Sequence, residues 1–365
     1  MVGILIAGNL DDKSKMTINC VLKTLFKINE NVKVIAVQLS RLQGFLGDEY
    51  KDKIIPYDCC HLCKDYKEAV ELADSIIEEY NIDTLLIYKS ALATAYDNKN
   101  MSLAKAVLRN YDEGIYNKRW SFITTRMLLF KFMFIWRASI KCKNIYNFVL
   151  DPQEPDYRLV IDFKNYKILY GMQRKDMIYM PCFEYGVLEQ CKDYDRTKTI
   201  NFMFYCGAVT EDRKFIADRK EELESIEGFD IRIFTRGRTK DNKPVNQEDY
   251  YKNLARTRYT CCIQAYDKTA FSMYRFTEAL INDCLSFVFY DCCLDDVKNT
   301  FPDMYEIMNK YLIVNDFDEV IDNVNNWKES KRVKIINMLK ETKSYKRFTD
   351  LNFIKKRWEK LDGWL

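Results

Sequence analysis

Residues 2–7 read Val-Gly-Ile-Leu-Ile-Ala, an apolar run closed by Gly8-Asn9 and then by the polar Asp11-Asp12-Lys13. A short run that is apolar throughout and ends in turn formers predicts a strand buried on both faces. Helical spacing follows over 16–28, then a second strand at 32–39, a helix at 66–80, a third strand at 84–88 and a helix around 103–110. Strands alternating with helices at these lengths predict a parallel, doubly wound sheet, whose ligands bind beyond the carboxyl ends of the strands.

Working outward, residues 145–150 read Ile-Tyr-Asn-Phe-Val-Leu and stop at Asp151-Pro152. Proline fixes its own φ and pushes the residue before it out of the helical region, so Asp151 is expected in an extended conformation at a strand end. A second α/β unit opens with a strand at 199–205, turns at Cys206-Gly207-Ala208 and enters a charged helix over 212–225. Further strands are predicted at 230–235, 259–264 and 286–290, with helices at 248–255 and 274–281. The expected fold class is α/β, with two Rossmann-like domains facing a cleft, a usual ligand site. The expected boundaries are 1–190, 191–345, and a C-terminal helix at 346–365 that packs back on the first domain.

Composition supports a packed chain. Its 365 residues are 48% hydrophobic, with only 11 Gly and 6 Pro, which excludes disorder and long flexible linkers. Lys and Arg number 57 against 54 Asp and Glu, so any basic surface must be local. Thirteen cysteines in a chain of this size, with neither a signal peptide nor a long uncharged apolar run, predict free thiols in a reducing cytoplasm. The single histidine, His61, leaves too little imidazole for a triad or a histidine-rich metal site. Acid/base chemistry therefore falls to Asp or Glu.

The most informative motif is Tyr274-Arg275-Phe276-Thr277-Glu278. Arg275 and Glu278 share a helix face near its N-terminus, where the dipole and free N–H groups favour anions. Such an Arg can clamp a diphosphate, and such a Glu can accept hydrogen bonds from ribose hydroxyls. The plain alternative is a surface ion pair. Gly207 and Ala208, followed by Arg213 and Lys214, read as a phosphate cradle without the ending of a P-loop. Phe234 and Arg236 mark a second cationic turn, which an ordinary loop explains equally well.

Cys59, Cys60, His61 and Cys63 contain one Cys-x-x-Cys, but no second ligand pair with matching spacing appears, so small buried hydrophobes are expected instead of zinc ligands. Arg126, Lys131, Arg137 and Lys141 alternate with Phe130, Phe132, Phe134 and Trp136. That pattern fits a nucleic acid backbone, and it fits equally a core helix whose cations reach out to water.

Together, the turn at 205–207, the strand at 231–234, Arg275-x-x-Glu278, and Ile145 with Asp151 and Pro155 resemble the phage DNA β-glucosyltransferases of the T-even type. The resemblance is thin over most of the chain and best after residue 199. It implies the glycosyltransferase-B fold and transfer of glucose from UDP-glucose to hydroxymethylcytosine in double-stranded DNA, with inversion. It implies donor diphosphate and ribose contacts for Arg275 and Glu278, and the general base for Asp151. A UDP-sugar donor is expected, with Mg or Mn as a divalent metal that assists diphosphate release, and no membrane partner. A monomer is expected, in the host cytoplasm if the chain is phage-encoded. The chain departs from the family by extra residues before Ile145 and by Ala208, Arg213 and Lys214 after the glycine turn. Those departures leave open the sugar, hydroxymethyluracil as the base, a saccharide or protein acceptor, and a non-catalytic nucleotide- or DNA-binding protein.

Overall fold

The computed structural model describes residues 1–6, 12–37, 48–57, 65–88, 122–149, 165–173, 177–206, 211–233, 247–263, 271, 273–290 and 292–364. Two units result, Met1–Met180 with Lys355–Leu365, and Pro181–Ile354.

The first unit is built on seven strands, β1 (Val2–Ile6), β2 (Val32–Val37), β3 (Ile54–Tyr57), β4 (Thr84–Tyr88), β5 (Asn144–Val149), β6 (Tyr166–Tyr170) and β7 (Ile178–Tyr179). Their order is β3-β2-β1-β4-β5-β6-β7, with every pairing parallel. The apolar run at the start of the chain is thus a central strand, and the order reverses direction between β1 and β4. At Gly3 a Cβ would press on the side chains of Ile82 and Ile35 at 3.1–3.2 Å, so glycine is what lets them close over β1.

Helices α1 (Asp12–Ile28), α2 (Tyr66–Glu79) and α3 (Phe122–Lys141) belong to this unit. Asp65 caps α2 by accepting from the backbone N–H groups of Lys67 and Glu68 at 2.8 and 3.0 Å. Leu5, Ile35, Ile87 and Ile145 from the sheet pack in one core with Ile76, Phe130 and Phe134 from the helices. Each such side chain contributes about 1.5–3 kcal/mol by leaving water.

The end of the chain completes this unit. Trp358 packs against Trp364 with tilted rings 4.4 Å apart and approaches Phe148 at 6.2 Å, both tryptophans being buried. The Asp362 carbonyl accepts from Asn144 Nδ2 and Tyr146 Oη, each at 3.0 Å. Gly363 has φ +72° and lies so close to Thr84 that a side chain there would collide with it.

The second unit contains β8 (Ile200–Cys206), β9 (Phe229–Ile233), β10 (Thr257–Cys262), β11 (Leu285–Phe289) and β12 (Ile313–Val314), again all parallel, in the order β12-β11-β10-β8-β9. Its helices are α4 (Phe183–Cys191), α5 (Glu211–Asp218), α6 (Lys220–Glu224), α7 (Gln247–Ala255), α8 (Met273–Ile281), α9 (Asp295–Thr300), α10 (Pro302–Tyr311), α11 (Phe317–Asn326), α12 (Glu329–Glu341) and α13 (Lys343–Thr349), and α14 (Leu351–Trp358) leads back into the first unit. The helix expected over 212–225 is two helices, interrupted at Arg219, which pairs with Glu222 and Asp318 at 2.7 and 2.6 Å.

Both units are doubly wound and Rossmann-like, the fold class expected from the alternation of strands and helices. Among the described residues no helix is long and apolar enough to cross a membrane.

Candidate functional site

In the second sheet the chain leaves β8 toward β9 and returns to β10 on the other side, so the strand order switches direction between β8 and β10. The crevice beyond the carboxyl ends of strands at such a point is where doubly wound sheets hold ligands. Helix α8 follows β10, and Arg275 lies in its first turn.

Arg275 Nη1 donates to Glu278 Oε2 at 2.7 Å. Glu278 Oε1 accepts from the Tyr251 hydroxyl of α7, also at 2.7 Å. The Glu278 side chain is 0% exposed and that of Arg275 is 23% exposed. The carboxylate is therefore sealed with both oxygens engaged, while the arginine side chain is partly exposed.

Two aromatic rings also hold the guanidinium, Tyr274 at 4.9 Å and Tyr250 at 5.7 Å. Tyr250 in turn packs against Tyr205 near the end of β8, with ring centroids 5.8 Å apart. The Tyr205 hydroxyl donates to Asp230 at 2.6 Å and accepts from Asn253 at 3.0 Å, with Arg232 over its ring. A chain of contacts thus runs from the end of β8 to the start of α8, tying Arg275 to the switch point. Burial works against the Arg275 charge, but Glu278 together with Tyr274, Tyr250 and Tyr251 holds the guanidinium protonated well above its ordinary range.

Glu184, in the first turn of α4, is buried beside this group. Burial pushes its carboxyl up to about 7, and the charge of Glu278 adds to the rise. Among the described residues no cation pairs with it.

The other residues read from the sequence are placed unevenly. Asp151, Gly207, Ala208, Phe234 and Arg236 lie outside the described residues, as do Cys59, Cys60, His61 and Cys63. Arg213 and Lys214 fall in α5, where the Lys214 side chain is exposed; Arg126 and Lys131 fall in α3. The side chains of Arg213, Arg126 and Lys131 are outside the described residues.

Arg137 and Lys141 are engaged inside the first unit. Arg137 Nε lies 2.7 Å from Asp74, and Lys141 lies 3.2 Å from Asp74 and 2.5 Å from Glu78. Burial works against the Asp74 charge, yet hydrogen bonds from these two cations hold its carboxyl below the usual range. Phe130 and Phe134 of the same helix are buried. Around these residues α3 is a core helix that turns cations toward the acids of α2.

The thiols of Cys142, Cys262 and Cys284 are pushed by burial up to about 12 and behave as small core side chains. Among the described residues no group of three or more His, Cys, Asp or Glu is arranged to hold a metal ion.

Tyr250, Tyr251 and Glu184 were not singled out from the sequence. The adjacent Tyr250-Tyr251 pair in an otherwise polar helix was the available signal, but only the fold brings it to Arg275 and Glu278.

No protein-family model matches the chain, and no curated protein matches it. Among solved structures, a glycosyltransferase from Rickettsia africae ESF-5 is similar at 11% identity over 98% of this chain and 96% of that one, with a TM-score of 0.47. The UDP-GlcNAc 2-epimerase from Neisseria meningitidis bound to UDP-GlcNAc is similar at 10% identity over 99% of this chain and 100% of that one, with a TM-score of 0.41. The spinosyn rhamnosyltransferase SpnG is similar at 9% identity over 94% of this chain and 97% of that one, with a TM-score of 0.40. Similarities at these values assign no activity.

Proposed function

We propose that the chain is an inverting, nucleotide-sugar-dependent glycosyltransferase of the glycosyltransferase-B type. Its donor is a UDP-sugar, UDP-glucose first, and its acceptor is the hydroxymethyl group of a modified pyrimidine in duplex phage DNA. The observation that carries this reading is the guanidinium of Arg275, fixed by a sealed carboxylate and two rings at the start of the helix that follows β10. A cation held in place before the ligand arrives suits a diphosphate, because its charge need not be reorganised as the leaving group departs.

In the proposed reaction the acceptor hydroxyl oxygen forms a bond to the anomeric carbon as the bond from that carbon to the diphosphate oxygen breaks. Asp151 takes the hydroxyl proton. It follows β5 in the chain, two residues after Val149, and a carboxylate is the available base in a chain with one histidine. Arg275 offsets the charge that develops on the departing UDP. Gly207, Ala208, Arg213, Lys214, Phe234 and Arg236 complete the donor side of this reading.

Mass spectrometry of hydroxymethylated duplex DNA, incubated with the protein and a set of nucleotide sugars, tests it. A mass gain of one sugar per modified base, lost in Asp151→Asn while UDP-sugar binding persists, is expected. Transfer by Asp151→Asn at the wild-type rate removes the assigned base, and transfer to a glycan or protein instead of DNA removes the acceptor.

A further inference from the structure

Glu184 stands on a face of α4 that is otherwise apolar. Glu184, Val187 and Cys191, three and four residues apart, are all buried, and Glu184 is 6% exposed. The helix is fixed against the start of α8, where Phe183 meets Tyr274, the residue before Arg275, edge to face with ring centroids 5.8 Å apart. The Glu184 carboxyl is thereby held beside the Arg275–Glu278 pair, and a carboxyl without a countercharge is costly to bury in its charged form. We propose that these three side chains take up an anionic ligand together with a proton, which Glu184 holds, so that pH sets the affinity of the site.

As regulation of the same cation, this coupling rests on the donor-site reading of Arg275. With Glu184 neutral, one guanidinium faces one carboxylate and the group has no net charge. Once Glu184 ionises, two buried carboxylates share one guanidinium and the group becomes negative. A diphosphate at Arg275 then meets a repulsion that the interior screens poorly. Burial raises the Glu184 carboxyl to about 7 and the charge of Glu278 adds to the rise, opposed by a hydrogen bond from its own backbone N–H. The change of charge therefore falls near neutral pH. By linkage the effect is reciprocal, so an anion that ionised Glu184 repels must tighten the hold on its proton by the same factor.

The helices packed against α4, which are α8, α13 and α7, supply no countercharge. The ionisable groups of α8 are Arg275, Glu278 and Tyr274 alone. On α7, burial keeps the Tyr250 hydroxyl neutral, Tyr251 donates to Glu278 at 2.7 Å, Lys252 is held by Glu248 at 2.7 Å, and Asp249 acts on Arg232. On α13, Lys343, Lys346 and Arg347 are exposed, and burial keeps Tyr345 neutral. On α4 itself Glu189 lies 3.8 Å from Lys192, and Tyr185 and Cys191 are the other ionisable groups. The charge that reaches Glu184 is that of Glu278.

Calorimetric titration of the full chain at pH 6 and pH 8.5 tests the coupling with two probes. UDP-glucose is the first, because its diphosphate stays fully ionised between these pH values, and sulfate, an anion with neither base nor sugar, is the second. Wild-type affinity for both is expected to fall about tenfold from the lower to the higher pH, the worth of one poorly screened like charge. Glu184→Gln, which keeps a neutral side chain of the same shape, should bind at pH 8.5 as tightly as wild type does at pH 6. Near pH 7.5 the heat of wild-type binding should vary with the ionisation enthalpy of the buffer, showing proton uptake, and that of Glu184→Gln should not. Melting temperatures at both pH values verify that each protein is folded. An affinity that is constant or rises with pH overturns the proposal, as does a fall that Glu184→Gln retains. Sulfate binding with this pH profile, lost in Arg275→Ala, but without UDP-glucose binding would remove the donor reading and leave the proton coupling standing. Binding of neither probe would remove both.

Discussion

Arg275 and Glu278 form a 2.7 Å ion pair in which the glutamate side chain is sealed from solvent and the arginine side chain is partly exposed. In the proposed donor site this asymmetry matters, since an exposed carboxylate would repel a diphosphate and a sealed one would serve to hold the cation that attracts it. On that proposal Glu278 acts through Arg275, while the resemblance to DNA β-glucosyltransferases implies direct contact with ribose.

Two ligands distinguish these roles. Arg275→Ala is expected to weaken UDP by about 10- to 100-fold, the worth of a charge-assisted hydrogen bond or two. Glu278→Gln, measured by calorimetry against UDP and against inorganic pyrophosphate, should lower affinity for both by a similar factor if Glu278 positions Arg275. A loss confined to UDP would assign the carboxylate to ribose. Because truncating one partner of a buried pair costs about 3–5 kcal/mol, the glutamine variant is preferred to alanine.

Glu184 gives a pH dependence of known sign. Its carboxyl is raised by burial from an ordinary 4.5 to about 7, so the folded chain keeps a proton that the unfolded chain releases. Stability from the neutral form is complete below about pH 4.5 and is lost as pH rises toward 7, an effect on the order of 3 kcal/mol. Glu184→Gln should therefore be more stable than wild type at pH 8 and gain little at pH 4.5. Urea denaturation at the two pH values checks this, and equal differences at both would show that the side chain does not titrate in this range.

Lys198 shows the opposite slope. Its ammonium donates to the carbonyls of Ala255 and Asn282 at 2.7 and 2.8 Å, closing the C-terminal ends of α7 and α8, and burial lowers it from 10.5 to about 8. Between pH 8 and 9.5 the unfolded chain holds more protons at this position, so its contribution to stability rises with pH. Lys198→Met should flatten that part of the stability profile and, by leaving two carbonyls unpaired, lower the melting temperature at pH 7.

The C-terminal residues are expected to be structural. Trp364→Ala removes the ring contact with Trp358 and should cost about 3–5 kcal/mol. Gly363→Ala should also destabilise, since its φ of +72° disfavours any side chain and Thr84 blocks the space. Calorimetric melting of both variants tests this, and unchanged transitions would mean that the tail adds nothing to the first unit.

The sequence by itself determined the α/β class and most of the central strands. Runs such as 2–7, 84–88 and 286–290 are largely apolar on both faces, and at that length between turn formers the pattern fits a strand covered on both sides. It also pointed to Arg275 and Glu278, because three-residue spacing on a helix puts side chains on one face regardless of context. The edge or near-edge strands β3, β6, β7 and β12 were not legible: β3, β7 and β12 have only two to four residues, β6 carries Lys167 within its run, and their pairing is set by the strand beside them.

Only the tertiary structure decided where charges find partners. The basic aromatic segment at 126–143 read as a DNA surface or a core helix, and the acids of α2, sixty-three residues away from Arg137 and Lys141, engage both. Tyr251 reaches Glu278 across 27 residues by a contact that no local spacing encodes. A charge acts through its neighbours in space and through its distance from water, and chain order alone specifies neither.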